Sequence, residues 1–191
     1  MVAAFDADVG RVPSRGVPLI PIASPELTLS WVTEHIIFID QTIHIRRAEE
    51  TDHGQLAQIF LEARRRAYQW RNPTEMKLED FGVQTAGEVI FLAEDERQKI
   101  LGFISIWEPD RFVHHLFVAP DHQRHGIGRL LLESLSSWLP LPYQLKCKEK
   151  NLPARAFYAK NGWTEVGRGS DEHGEYLVLE YNPVNQSNLP T

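Results

Sequence analysis

Phe117-Val118-Ala119-Pro120-Asp121-His122-Gln123-Arg124-His125-Gly126-Ile127-Gly128-Arg129-Leu130-Leu131-Leu132 is the stretch on which the reading of this chain turns. An apolar strand runs into a glycine-punctuated turn and then into a helix. The first turn of a helix carries N–H groups with no acceptor inside the helix, and the aligned peptide dipoles add partial positive charge there, so the layout suits an anion. Gly126 and Gly128 let a phosphate come close to the backbone, and Arg124 and Arg129 bracket them with charge-assisted donors. Two common phosphate loops are excluded. The run lacks the Gly-Lys-Ser/Thr ending of a P-loop, and it lacks the third glycine and acidic partner of a dinucleotide-binding fingerprint.

Outward from this stretch, periodicity predicts alternating strands and helices. Upstream, Ile43 and Ile45 mark a first strand, Thr51 or Asp52 an N-cap, and Leu56, Ile59, Phe60, Ala63 and Ala67 a helix running to about Trp70. A second helix is expected from Thr74 to Ala86. Val89 to Ala93 and Ile100 to Trp107 then read as a hairpin, and Phe112 to Ala119 as the strand feeding the glycine turn. Downstream, Ile127, Leu130, Leu131, Leu135 and Trp138 share one helical face, with Pro140 as the stop. Tyr143, Leu145 and Cys147 alternate with Gln144, Lys146 and Lys148 in a further strand. A short helix carrying Phe157 and Tyr158 ends at Asn161-Gly162, and Trp163 to Val166 with Glu175 to Tyr181 form a closing hairpin about Gly169 to Gly174.

A chain of 191 residues with 42% hydrophobic content can bury one sizeable core. We divide it into an N-terminal extension (1–42), one domain (43–182) and a polar tail (183–191). Pro13, Pro18, Pro21 and Pro25 keep the start of the extension irregular, whereas Trp31 to Ile39 is apolar enough for a strand or an interface arm. The formal net charge of −6 argues against a nucleic-acid partner, which usually leaves a clustered basic footprint. Arg64, Arg65 and Arg66 occupy successive helical positions and read as a solvated face. Cys147 is the only cysteine, so no intrachain disulfide forms. No apolar run is long enough to span a bilayer, and a cytoplasmic location is the default expectation.

Gln123-Arg124-His125-Gly126-Ile127-Gly128 fits the Gln/Arg-x-x-Gly-x-Gly/Ala signature of the GCN5-related N-acetyltransferases. Asn151-Leu152-Pro153-Ala154-Arg155-Ala156-Phe157-Tyr158-Ala159-Lys160-Asn161-Gly162-Trp163 likewise resembles the Asn-x-x-Ala-x-x-Phe-Tyr-x-x-x-Gly-Phe/Trp segment of that family. The resemblance covers roughly Ile43 to Tyr181. It implies an α/β (α+β) fold: a mixed, mostly antiparallel sheet of about six to seven strands, flanked by about four helices and splayed between the fourth and fifth strands. It also implies acetyl-CoA as co-substrate, no metal, and direct acetyl transfer to an amine of a small molecule or peptide through a tetrahedral intermediate. The cofactor-binding set it implies is Leu116, Phe117 and Val118 on the strand; Gln123, Arg124, His125, Gly126, Ile127, Gly128 and Arg129 in the loop; and Asn151 and Tyr158 beyond. The backbone N–H near Val118 is the expected oxyanion donor.

Tyr158 matches the family's general acid for the departing thiolate, while as a bare residue it reads as packing beside Phe157. Asn151 either bonds the cofactor arm or caps the helix containing Pro153. An amine with an ordinary pKa near ~10.4 must lose a proton before attack, and His114 and His115 are the candidate bases. Strict alternation puts them on opposite faces of the sheet, with Glu108 and Asp110 as rivals. Lys146 stands where ribosomal-type N-terminal acetyltransferases carry a glutamate. Asp121, His122 and His125 match no zinc spacing. A reading from another class is a non-catalytic acyl-CoA-sensing interaction module that uses the extension as its arm. The sequence leaves both the amine and self-association as a homodimer open.

Overall fold

Alternating apolar segments in the first half of the chain fold into a meander, and the computed structural model describes residues 36–38 and 41–183 of it. The strands are β1 (Ile36–Phe38), β2 (Gln41–Arg47), β3 (Val89–Glu94), β4 (Ile100–Trp107), β5 (Phe112–Val118), β6 (Tyr143–Lys148), β7 (Thr164–Asp171) and β8 (Gly174–Tyr181). The helices are α1 (His53–Ala67), α2 (Asp80–Gln84), α3 (Ile127–Ser134) and α4 (Leu152–Lys160). Sheet order is β1-β2-β3-β4-β5-β6-β8-β7. Every neighbouring pair is antiparallel except β5 and β6, which the α3 crossover makes parallel. Part of the expected extension, Ile36–Phe38, is thus an edge strand paired with β2. The readings of residues 1–35 and of the tail beyond Pro183 lie outside the described residues.

Two apolar layers cover the sheet. On one face Leu56, Phe60 and Ala63 of α1 and Phe81 of α2 pack against Leu92, Phe103 and Phe117. On the other, Ile127, Leu130 and Leu131 of α3 and Ala154 and Tyr158 of α4 pack against Ile104, Leu116, Val118 and Cys147. Among the described residues, no helix is long and apolar enough to cross a membrane.

Several elements depart from the sequence expectations, each for a physical reason. Asp52 precedes α1, but its carboxylate accepts from Arg46 (2.7 Å) and from the Glu49 N–H (2.8 Å) and caps nothing in α1. The helix expected over Thr74–Ala86 shrinks to α2. Asn72 caps a separate short turn at Pro73–Glu75, Met76 is extended (ψ 118°), and the Asp80 carboxylate takes the Lys77 N–H at 2.9 Å. Arg64 is not solvated: it is 2% exposed, lies over the Phe60 ring and pairs with Asp80 at 2.9 Å. Arg65 donates to the carbonyls of Pro73 and Met76, so two of the three arginines pin the α1–α2 connection. The closing hairpin is longer than expected, because Gly167 and Gly169 are accommodated within β7.

The departure that matters most is in β5. Its register against β4 runs Leu116↔Ile104, His115↔Ser105 and then Val113↔Ile106, leaving His114 as an extra residue. Such a bulge bends the strand and breaks its alternation. Val113 therefore packs with Leu116 and Val118 on the α3 side, a phase that strict alternation forbids.

Candidate active site

The β5–β6 pair registers only at Phe112↔Gln144 and Val113↔Leu145, after which the strands part at the bulge. The backbone on the open side follows from the ladder. The Ala119 N–H donates to the Leu101 carbonyl at 2.8 Å, so alternate residues of β5 turn their peptides to β4 and the others turn away. Phe117, opposite Phe103, spends its peptide on β4, whereas Leu116 and Val118 point theirs into the gap that β6 leaves. Gln123 Nε2 enters that gap and donates to the Val118 carbonyl at 3.0 Å.

At the end of β5 the chain turns through two left-handed residues, Arg124 (φ 67°) and Gly126 (φ 83°). Gly126 is the residue before α3, a position where a side chain would be strained. The Arg129 and Leu130 N–H groups both reach the Gly126 carbonyl, and no side chain caps the helix, which leaves the first-turn N–H groups of Ile127 and Gly128 to an external acceptor. Arg124 and His125 are exposed beside this turn. Arg129 is exposed too and bridges Glu133 at 2.6 Å. His122 Nε2 lies 2.9 Å from the Lys99 ammonium; burial, followed by the charges of Lys99 and His125, holds its imidazole below the ordinary value.

The α3 side of the gap holds two buried polar atoms with no hydrogen-bond partner among the described residues. One is the Tyr158 hydroxyl, on a side chain 0% exposed; the other is Asn151 Nδ2, whose Oδ1 caps α4 through the Ala154 N–H at 3.3 Å. Leaving such groups unpaired is costly, so an unsatisfied hydroxyl beside an open strand edge fits an absent ligand. Burial, with smaller contributions from Cys147 and Tyr68, holds the phenol well above its usual range, so it keeps its proton. Cys147 is packed in the same layer, and burial pushes its thiol up to about 12.

On the α1 side the bulge corrects the placement of the histidines. His114 and His115 do not face opposite ways: their rings lie 6.2 Å apart on one face. His115 is fully buried in an aromatic cluster, 5.1 Å from the Phe60 ring and stacked on Phe117. His114 has a side chain 26% exposed, and its Nδ1 is bonded to Glu88. Glu88, which the sequence reading passed over, has a side chain 2% exposed and also accepts from the Ser105 hydroxyl. A turn places it, with the Glu88 N–H on the Thr85 carbonyl at 3.0 Å and Gly87 left-handed (φ 80°). Glu108 and Asp110 lie in the turn before β5. Lys146 is 7% exposed with its ammonium 4.7 Å from the Tyr176 ring centre. Among the described residues no group of three metal-ligating side chains converges.

Residues 86–165, from the turn bearing Glu88 to the start of β7, match the sequence model of a family described as acetyltransferase (GNAT) domain. Over 69 residues the chain is 41% identical to peptidyl-lysine N-acetyltransferase YiaC of Escherichia coli strain K12, covering 36% of this chain and 46% of that protein. The chain thus spans less than half the length of this curated relative. Its fold is similar to the solution structure of apo-form YjaB from Escherichia coli (TM-score 0.63, 25% identity, 73% of this chain and 97% of that one). It is also similar in fold to the PaiA N-acetyltransferase of Thermoplasma acidophilum in complex with coenzyme A (TM-score 0.58, 17% identity, 73% and 98%).

Proposed function

We propose that the chain, whose residues 86–165 match the acetyltransferase (GNAT) domain, acts as a GCN5-related N-acetyltransferase and transfers the acetyl group of acetyl-CoA directly to an amine of a small molecule or peptide. The observation that carries this reading is the gap between β5 and β6, with an unpartnered Tyr158 hydroxyl on one face and His114 on the other. The two reactants then approach from opposite sides of the sheet. The uncapped start of α3, with Gly126 before it and Arg124 and Arg129 beside it, suits the pyrophosphate of acetyl-CoA. Asn151 Nδ2, the peptide edge of Leu116 and the Val118 N–H suit the polar groups of its arm.

His114 is the general base in this reading, since His115 is sealed among Phe60 and Phe117. In this reading the Leu116 N–H, nearer to His114 along β5 than the expected Val118 N–H, is the oxyanion donor. Val118 lies four residues from His114, roughly 13 Å of extended chain, whereas Leu116 lies two away, about 6.6 Å. Base and oxyanion donor must meet one amine and one carbonyl, which favours the shorter span. His114 takes the amine proton, the Leu116 N–H holds the oxyanion as the C–N bond forms, and Tyr158 gives its proton to the sulfur as the C–S bond breaks.

The test is release of CoA thiol from acetyl-CoA by the full chain, screened against polyamines, amino acids, aminoglycosides and lysine-containing peptides. Peptides enter the screen because the relative named above is a peptidyl-lysine N-acetyltransferase. Amine-dependent release is expected. Binding of acetyl-CoA with no release across the screen would replace the transferase by an acyl-CoA sensor.

A further inference from the structure

We infer that Glu88 is the positioning residue of the site, fixing which nitrogen of His114 faces the acceptor amine; this rests on the transferase reading above. An ionised carboxylate accepts and cannot donate, so a ring nitrogen bonded to it must carry a hydrogen. Nδ1 of His114 is that nitrogen. In the neutral ring the lone pair then belongs to Nε2, the nitrogen that Glu88 does not touch, on a side chain 26% exposed. The second carboxylate oxygen is held by the Ser105 hydroxyl, and Ser105 is fully buried. Glu88 cannot rotate away from His114 without breaking that bond as well.

The arrangement depends on the bulge. With regular alternation His114 would face α3, away from Glu88 and Ser105; the extra residue brings it to their face at the point where β6 departs. Phe112 closes on the ring from the same strand, with centroids 4.9 Å apart. Glu88, Ser105 and Phe112 between them leave the imidazole one orientation. This is the logic by which a buried carboxylate orients a catalytic imidazole elsewhere, reached here through a turn before β3.

Two readouts test it, one of them independent of turnover. Ring 15N shifts of the full chain, with His114 assigned through His114→Gln, should show Nδ1 protonated in the neutral wild type and a mixed or inverted tautomer in Glu88→Gln. With an amine from the screen above, Glu88→Gln should lower kcat about 10–100-fold with KM for acetyl-CoA changed less than about twofold. The double variant should lose no more than His114→Gln alone, because a residue that acts through another adds nothing once that one is gone. Glu88→Asp, which keeps the charge, should recover part of the loss. An Nε2-protonated wild-type ring overturns the inference whatever the activity. So do additive losses in the double variant, or equal falls in kcat and thermal stability that Glu88→Asp does not relieve. If no amine is acetylated, the transferase reading fails, and the tautomer measurement still decides whether Glu88 sets the ring.

Discussion

Tyr158→Phe separates catalysis from packing because the two predict opposite signs for stability. The hydroxyl is fully buried without a partner, and such a group costs about 1–3 kcal/mol. Phenylalanine keeps the ring that packs edge-on against Phe157 and Trp163 at 5.3 and 5.6 Å and removes only the oxygen. The ligand-free variant should therefore be more stable than the wild type by about 1 kcal/mol, a rise in Tm of roughly 2–4 °C for a domain of this size. Turnover should move the other way, by about 10²–10⁴-fold for loss of a general acid. Thermal unfolding without ligand and amine-dependent thiol release give the two numbers, and a calorimetric titration checks that acetyl-CoA still binds within about threefold. A variant that is less stable than the wild type and turns over at the same rate would refute the argument, since Tyr158 would then be a satisfied core residue.

Gly126→Val forces a β-branched residue to φ 83° and should weaken acetyl-CoA binding at least about 10-fold by titration, with the unliganded fold losing about 1–2 kcal/mol in urea. Asp52 supplies a pH test. The Arg46 guanidinium beside it holds its carboxyl below the ordinary value, so the folded chain takes up that proton less readily than the unfolded one. The stabilisation is complete above the unfolded value near ~4 and is lost as the pH falls through the folded value. The Tm difference between wild type and Asp52→Asn should accordingly be largest at neutral pH and shrink on acidification below that point. Cys147, buried with its thiol pushed up to about 12, should resist iodoacetamide in the folded protein and react in denaturant, as mass spectrometry would read.

The glycine turn, the seven strands β2 to β8 and the apolar faces of α1 and α3 were legible because each is a local pattern: alternation, helical spacing or a turn residue. The short helix carrying Phe157 and Tyr158 was legible for the same reason, whereas the site roles of Asn151 and Tyr158 came only from the resemblance of their segment to the family's. What was not legible depended on partners distant in the chain. Nothing near Asp80 announces that Arg64 will take its carboxylate, so the helix expected from Thr74 looked continuous. Glu88 precedes an apolar strand with no motif to single it out until Ser105 and His114 fold over it. The bulge hides in Val113-His114-His115-Leu116, because two adjacent histidines fit either phase of a strand and a single inserted residue leaves no mark on composition.

That inserted residue makes the open end of the sheet an arrested zipper. β5 and β6 begin in register and their sequences could continue the ladder, but the bend at His114 carries β5 off line after two residue pairs. A chain shortened by one residue at this point would recover unbroken alternation and could close β6 along the whole of β5, gaining backbone hydrogen bonds and losing the slot. Tighter folding and an open slot are therefore competing demands on the same few peptides.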